Sequence, residues 1–460
     1  MLFNSYEFLL VFLPAALLVS ALVDGVPVLR TWTLIALSLI FYSYWDVRFL
    51  PLMVGSILLN WWAANLYFAT RRHAIITGAI VANLGVLGLF KYANFFADNI
   101  AALTGLQAEH FALVLPLGIS FFTFHHIMYL VDIGRKRAPL YSLDRYALYI
   151  CFFTQAIAGP IARWSEVMDQ FGGRIFAPGW ERRWAAGTTL VVLGLAQKVL
   201  IADPLSRAID PIYAAALQGP VRDGSAWMAL AFVFQGFFDF SGYSDIAIGL
   251  ALIFGIALPR NFDAPFRSTS ILDLWRRWHM TLARFLRDYV FSVLANVPIG
   301  GRKRRIERML AALVVTMALC GLWHGAGWTY VIWGTLQGFG MLFAIIWGRY
   351  VSSPPALVGW AATVGFFMIT GVFFRAGSLE AVWHIYEGLA ILPNSFPPSG
   401  WRDLLAAVIC AIVLPPSHEI CRRLTERPRL AVAVALAALG IAVLLAMNEH
   451  DAQTFVYFQF

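Results

Sequence analysis

Apolar runs separated by short polar or basic breaks recur along the whole chain. A helix needs about 20 apolar residues to cross a bilayer. On that scale the pattern predicts spans at 8–24, 31–47, 50–68, 74–95, 111–133, 184–203, 225–256, 309–323, 328–347, 356–374, 401–415 and 430–447. The expected fold is all-α. It is one integral-membrane domain over residues 1–460, a bundle of about 11–12 spanning helices with re-entrant or interfacial pieces.

Two stretches depart from plain spans. Between Arg137 and Arg182 lies a single apolar run, about 145–162, that contains Ala158-Gly159-Pro160. Those breakers, and the basic residues on both sides, predict a segment that enters and leaves on one face. Irregular backbone at that depth must be buried in protein or line a cavity. The stretch from Asp273 to Tyr289 is too polar to span freely. Trp275, His279, Leu282 and Leu286 recur at i, i+4, i+7 and i+11, so one amphipathic helix is expected there, with His279 on its apolar face.

Composition narrows the class. Of 460 residues, 60% are hydrophobic and only 13% are charged, against about a quarter charged in soluble proteins. The net charge of +8 comes in short clusters between apolar runs, which points to topology and anionic headgroups rather than nucleic acid. Arg71-Arg72, Arg135-Lys136-Arg137, Arg182-Arg183, Arg302 to Arg308 and Arg422 to Arg429 are expected on the cytoplasmic side. Both termini are then external. The start of the chain lacks the basic region of a signal peptide, so its first apolar run is expected to be retained. The basic loop Arg302-Lys303-Arg304-Arg305 faces lipid headgroups or an anionic, nucleotide-containing donor. Cys151, Cys320, Cys410 and Cys421 lie in or beside apolar runs and form no CxxC, so neither disulfides nor a metal site is expected.

The candidate chemistry centres on one histidine. From Met309 to Trp347 there is no Asp, Glu, Lys or Arg, and His324 lies near the middle beside Gly325 and Gly327. An ionisable group at membrane depth is costly and reads as functional by default. The two glycines permit a helix break and a close approach. A buried imidazole stays neutral and can take a proton from a hydroxyl as that hydroxyl attacks an acyl carbonyl. The run 225–256 carries Asp239, Ser241, Tyr243 and Asp245, which either face a watery cavity or, for the carboxylates, pair with the arginines that follow. There is no Walker A loop, GxGxxG, HExxH or GxSxG, and no internal repeat is evident.

Two motifs bring a family into view. Trp275-Arg276-Arg277-Trp278-His279 and Gly321-Leu322-Trp323-His324-Gly325-Ala326-Gly327-Trp328 resemble the membrane-bound O-acyltransferase family, in its bacterial polysaccharide O-acetylation branch. Met1-Leu2-Phe3-Asn4-Ser5, Ser120-Phe121-Phe122-Thr123-Phe124, Ala158-Gly159-Pro160-Ile161, Asp239 to Asp245 and Val456 to Phe460 agree with that branch. His125-His126 departs from it, and the pair is expected to be structural.

The resemblance implies a bundle with a thin catalytic centre and a tunnel between two funnels. It implies His324 as the catalytic histidine and His279 as the second characteristic position. Trp275, Arg276, Arg277, Trp278, Asp239, Ser241, Tyr243, Trp323 and Trp328 are then candidates for the substrate tunnel. The implied donor is a cytoplasmic thioester, acetyl-CoA, with no bound cofactor and no metal. The implied acceptor is an extracytoplasmic polysaccharide such as alginate, reached through a periplasmic partner protein, from a bacterial inner membrane. Two roles for His324 stay open, general base and transient acyl carrier. Two other functions also stay open. One is D-alanyl transfer from a carrier protein to a cell-envelope polymer. The other is a transporter or flippase that uses His324 as a proton relay.

Overall fold

The computed structural model describes residues 1–222, 224–297, 305–391, 400–426, 429–448 and 455–456. Among them there are helices and no strands. Eight helices are long and apolar enough to cross a membrane: Val47–Thr70, His73–Thr104, Trp180–Ala216, Ala226–Ile253, Arg305–His324, Trp328–Tyr350, Ala356–Arg375 and Leu430–Met447. A ninth arises if Trp401–Val413 and Ser417–Glu426, bent by 61° at Pro415-Pro416, form one broken span. Two shorter apolar helices, Glu7–Leu22 and Pro27–Ser43, occupy the first two expected spans. The chain is a multi-pass membrane protein.

The span expected at 111–133 is shorter than its hydrophobicity promised. The helix begins only at Ile119 and runs to Gly134. Pro116 disfavours helix at the residue before it, and Gly118 sits at φ 72°. A Cβ at Gly118 would meet the Ala156 carbonyl, so this turn is also a point of close backbone approach.

The chain divides into two compact units. The first comprises residues 1–193, 243–260 and 421–436. Phe3, Phe8, Phe12, Phe41 and Phe153 interlock there, with successive ring centroids 4.9 to 5.8 Å apart. The run expected to re-enter is interrupted. The helix Leu143–Cys151 ends and the chain turns through 152–160, buried throughout. Two of its polar groups are met from inside: Phe153 N–H donates to Ser38 Oγ at 3.1 Å, and Gln155 Nε2 donates to the Tyr149 carbonyl at 2.6 Å. His125 and His126 are both buried nearby. His126 Nδ1 lies 2.6 Å from the Tyr146 hydroxyl and Nε2 lies 3.1 Å from Ser56 Oγ, the bonding of a packing residue. All four cysteines are free; Cys151, Cys320 and Cys421 are buried and Cys410 is half-buried.

The second unit comprises residues 194–242, 261–420 and 437–460. Its central feature is the antiparallel pair Arg305–His324 and Trp328–Tyr350, joined by the short break at Gly325–Gly327. The two backbones meet directly. A Cβ at Gly321 would collide with the Tyr330 carbonyl, and one at Gly334 with the Met317 carbonyl. Small residues permit this approach in lipid, where packing rather than water exclusion drives helix association.

One expectation is overturned here. Asp273–Tyr289 is not a single amphipathic helix. Helix Ile271–Arg277 stops, Trp278 is extended, His279 turns at φ 41°, and a new helix runs Met280–Phe285. Trp275, His279, Leu282 and Leu286 are all buried, as their spacing required, but across a break. Asn261 holds the break, because its side-chain oxygen accepts from both N–H and Oγ1 of Thr281, at 3.3 and 2.9 Å. The basic loop expected at Arg302 to Arg305 falls, up to Arg304, outside the described residues.

The glycine contact generates a prediction. Gly334→Leu overpacks the helix pair and lowers stability by about 1–3 kcal/mol, read as a fall in the thermal midpoint of the detergent-solubilised protein. Gly348→Ala, with open space around it, leaves that midpoint unchanged.

Candidate active site

His324 ends its helix because Gly325 and Gly327 follow it, and only 4% of it is exposed. Three aromatic rings enclose the imidazole: Trp323 at 4.6 Å, Phe374 at 4.9 Å and Trp333 at 5.4 Å between centroids. It borders a cavity of about 40 Å³. The other described lining residues are Phe232, Val233, Gly236, Trp278, Trp333, Phe367, Gly371, Phe374 and Val456, so among the described residues no acidic or basic side chain lines the space apart from the imidazole.

His279 is 1% exposed and lies at the turn outside the spanning helices. Its Nδ1 is 3.0 Å from Asn261 Oδ1. That oxygen also accepts a backbone N–H, which can only donate, so the atom is an acceptor and His279 donates from Nδ1. The basic lone pair is therefore on Nε2. Burial pushes the imidazolium down, to a pKa of about 3, so the ring is neutral at ordinary pH. A positive φ on a non-glycine residue stores strain, a feature that collects at functional positions. The Trp323 ring lies between the two histidines, 6.2 Å from His279 and 4.6 Å from His324.

The remaining candidates separate clearly. Trp278 lines the cavity, and Trp323 packs on both histidines. Trp275 Nε1 donates to Gln337 at 3.3 Å and its ring packs on Trp333, which braces the cage. Arg277 pairs with Asp273 at 3.0 Å. Arg276 is exposed and Trp328 is 54% exposed, and neither lines the cavity. Ser241 Oγ donates to Gln197. Tyr243 belongs to the first unit, where it stacks on Phe3 at 5.0 Å. Asp239 pairs neither with a following arginine nor with open water; its partner is Lys198, at 2.6 Å. Asn261, Lys198, Trp333 and Phe374 were not among the residues singled out. Lys198 carried a signal, a cation inside an apolar run. Asn261 carried none, since an amide 18 residues from its histidine forms no local pattern.

Among the described residues, no three His, Cys, Asp or Glu side chains converge as a metal site. An imidazole in a small apolar chamber is suited to moving a proton as an oxygen attacks an acyl carbon.

Comparison with known proteins identifies the family. The family model for the membrane-bound O-acyltransferase family covers residues 63–379. The chain is 35% identical over 427 residues to the peptidoglycan O-acetyltransferase of Helicobacter pylori, covering 85% of this chain and 80% of that protein. It is 38% identical over 404 residues to the probable alginate O-acetylase AlgI of Pseudomonas aeruginosa, covering 85% and 75%. A teichoic acid D-alanyltransferase of Streptococcus thermophilus is 29% identical over 238 residues, covering 51% and 57%. A buried histidine at a glycine break, walled by aromatic rings and embedded in a helical membrane bundle, thus sits in a chain that belongs to the membrane-bound O-acyltransferase family and is an acyltransferase.

Proposed function

We propose that the protein O-acetylates an extracytoplasmic polysaccharide, with acetyl-CoA or an equivalent cytoplasmic thioester as donor and His324 as general base. The observation that carries this reading is the cavity at His324. It is small, and its described lining is apolar apart from the imidazole, which suits a short, uncharged acyl group. A D-alanyl group would bring an ammonium, and among the described lining residues there is no carboxylate to receive that charge. A proton relay would need a further titratable group beside His324, and the described lining residues include none.

In the reaction, an acceptor hydroxyl gives its proton to the His324 imidazole as its oxygen bonds to the carbonyl carbon. The carbon–sulfur bond of the thioester breaks, and the leaving thiolate takes the proton from the imidazolium. The apolar walls exclude water, which would otherwise compete as acceptor. His279, held as the Nδ1–H tautomer by Asn261, is placed to accept a proton at Nε2 and orients the acceptor. The relatives named for alginate and peptidoglycan support a polysaccharide acceptor; that it is reached through a periplasmic partner protein is part of the proposal. The positions of the basic clusters support an orientation with both termini external, and the reading places the protein in a bacterial inner membrane.

Purified protein in liposomes with radiolabelled acetyl-CoA tests this reading. Wild type releases acetyl from CoA, and His324→Ala loses the rate by about 10²–10⁴-fold. Equal turnover in both proteins would sink the assignment of His324 and favour a transporter. Asn261→Ala strands buried donors on His279 and Thr281, which costs about 1–3 kcal/mol; a lowered thermal midpoint together with slower transfer is the expected result.

A further inference from the structure

Lys198 is buried in a helical run that the chemistry above does not use. It sits in the π-helical turn Gln197–Ala202 of the long helix Trp180–Ala216. Such turns are rare and frequent at functional positions. Its Nζ lies 2.6 Å from Asp239 Oδ1 and 2.8 Å from Asp203 Oδ1, and the Lys198 and Asp239 side chains are each 1% exposed. The same ammonium faces the Phe455 ring, 4.7 Å from its centroid. The other Asp239 oxygen, Oδ2, accepts the backbone N–H of Val456 at 2.8 Å, across 217 residues of sequence. Val456 in turn lines the cavity at His324. A continuous set of contacts therefore runs from a buried ion pair to the wall of the acyl chamber.

A buried ion pair is a weak source of stability, since well-packed apolar residues often serve as well. What this pair does that apolar residues could not is hold two residues, Phe455 through its ring and Val456 through its N–H. We infer that Lys198 and Asp239 form a clasp that seats Val456 as the wall limiting the size of the acyl group beside His324. The inference rests on reading that cavity as the acyl site. Lys198 and Asp239 touch no reacting atom and are positioning residues; Val456 is the residue that sets acyl size.

Two measurements test it. The first compares transfer from acetyl-CoA and propionyl-CoA by wild type and Val456→Ala. Removing the two valine methyl groups makes room for one more carbon, so the propionyl-to-acetyl ratio of kcat/KM rises about tenfold, the discrimination that one methylene commands in an apolar pocket. An unchanged ratio overturns the role of Val456. The ratio does not depend on how much of the protein is active, and Val456→Ala leaves the ion pair in place. The second places Val456→Cys in a chain whose Cys151, Cys320, Cys410 and Cys421 are replaced by alanine, and follows alkylation by a small membrane-permeant maleimide. Labelling is slow with Asp239 present and at least tenfold faster in Asp239→Leu, at a temperature where both proteins remain folded by circular dichroism. Equal labelling overturns the clasp. If wild type transfers no acetyl yet labelling still depends on Asp239, the proposed function fails while the clasp stands.

Discussion

The site depends on two helix backbones meeting with no side chain between them. Gly321 and Gly334 let Arg305–His324 and Trp328–Tyr350 approach until backbone touches carbonyl. In a membrane the hydrophobic effect does not press helices together, so such close packing has to supply the attraction. The contact also places His324. The imidazole is the last residue before a tight break, and the returning helix brings Trp333 against it. A larger residue at either glycine would separate the helices and open the wall of a cavity of only about 40 Å³.

The second histidine is held by a different device. His279 occupies a left-handed turn that non-glycine residues avoid, and the amide of Asn261 holds it there. One oxygen accepts from His279 and twice from Thr281, so the turn is over-determined and the tautomer is assigned by the same atom. Trp323 then links the two histidines through ring contacts. The cavity at His324 is small and its described lining is apolar apart from the imidazole, and the polar groups around it stand one layer back.

Much of the fold was legible in the pattern of apolar residues. Most expected spans correspond to helices, because segments in lipid must satisfy their backbone internally and be long enough to cross. The reading failed where a local breaker outweighed hydrophobicity: Pro116 and Gly118 delay one helix to Ile119. It failed again at Asp273–Tyr289, where helical spacing was genuine and every spaced residue is buried, yet the helix is interrupted where Thr281 N–H donates a tertiary hydrogen bond to Asn261. Periodicity reports which residues are buried; it does not report whether the backbone between them is continuous.

For the site, the sequence by itself determined that His324 is an ionisable group inside an apolar run at a glycine break, since burial cost and backbone freedom are local properties. The short motifs around His279 and His324 were equally local. Only the tertiary structure decided which groups act together. It gave Asp239 to Lys198 rather than to an arginine, placed Tyr243 against Phe3, left Arg276 and Trp328 exposed, and brought Phe374 and Val456 to the cavity. The physical reason is range. A helix break depends on neighbouring residues, whereas an ion pair, a cage of rings or a cavity wall is assembled from side chains far apart in the chain, whose meeting depends on how every helix between them packs.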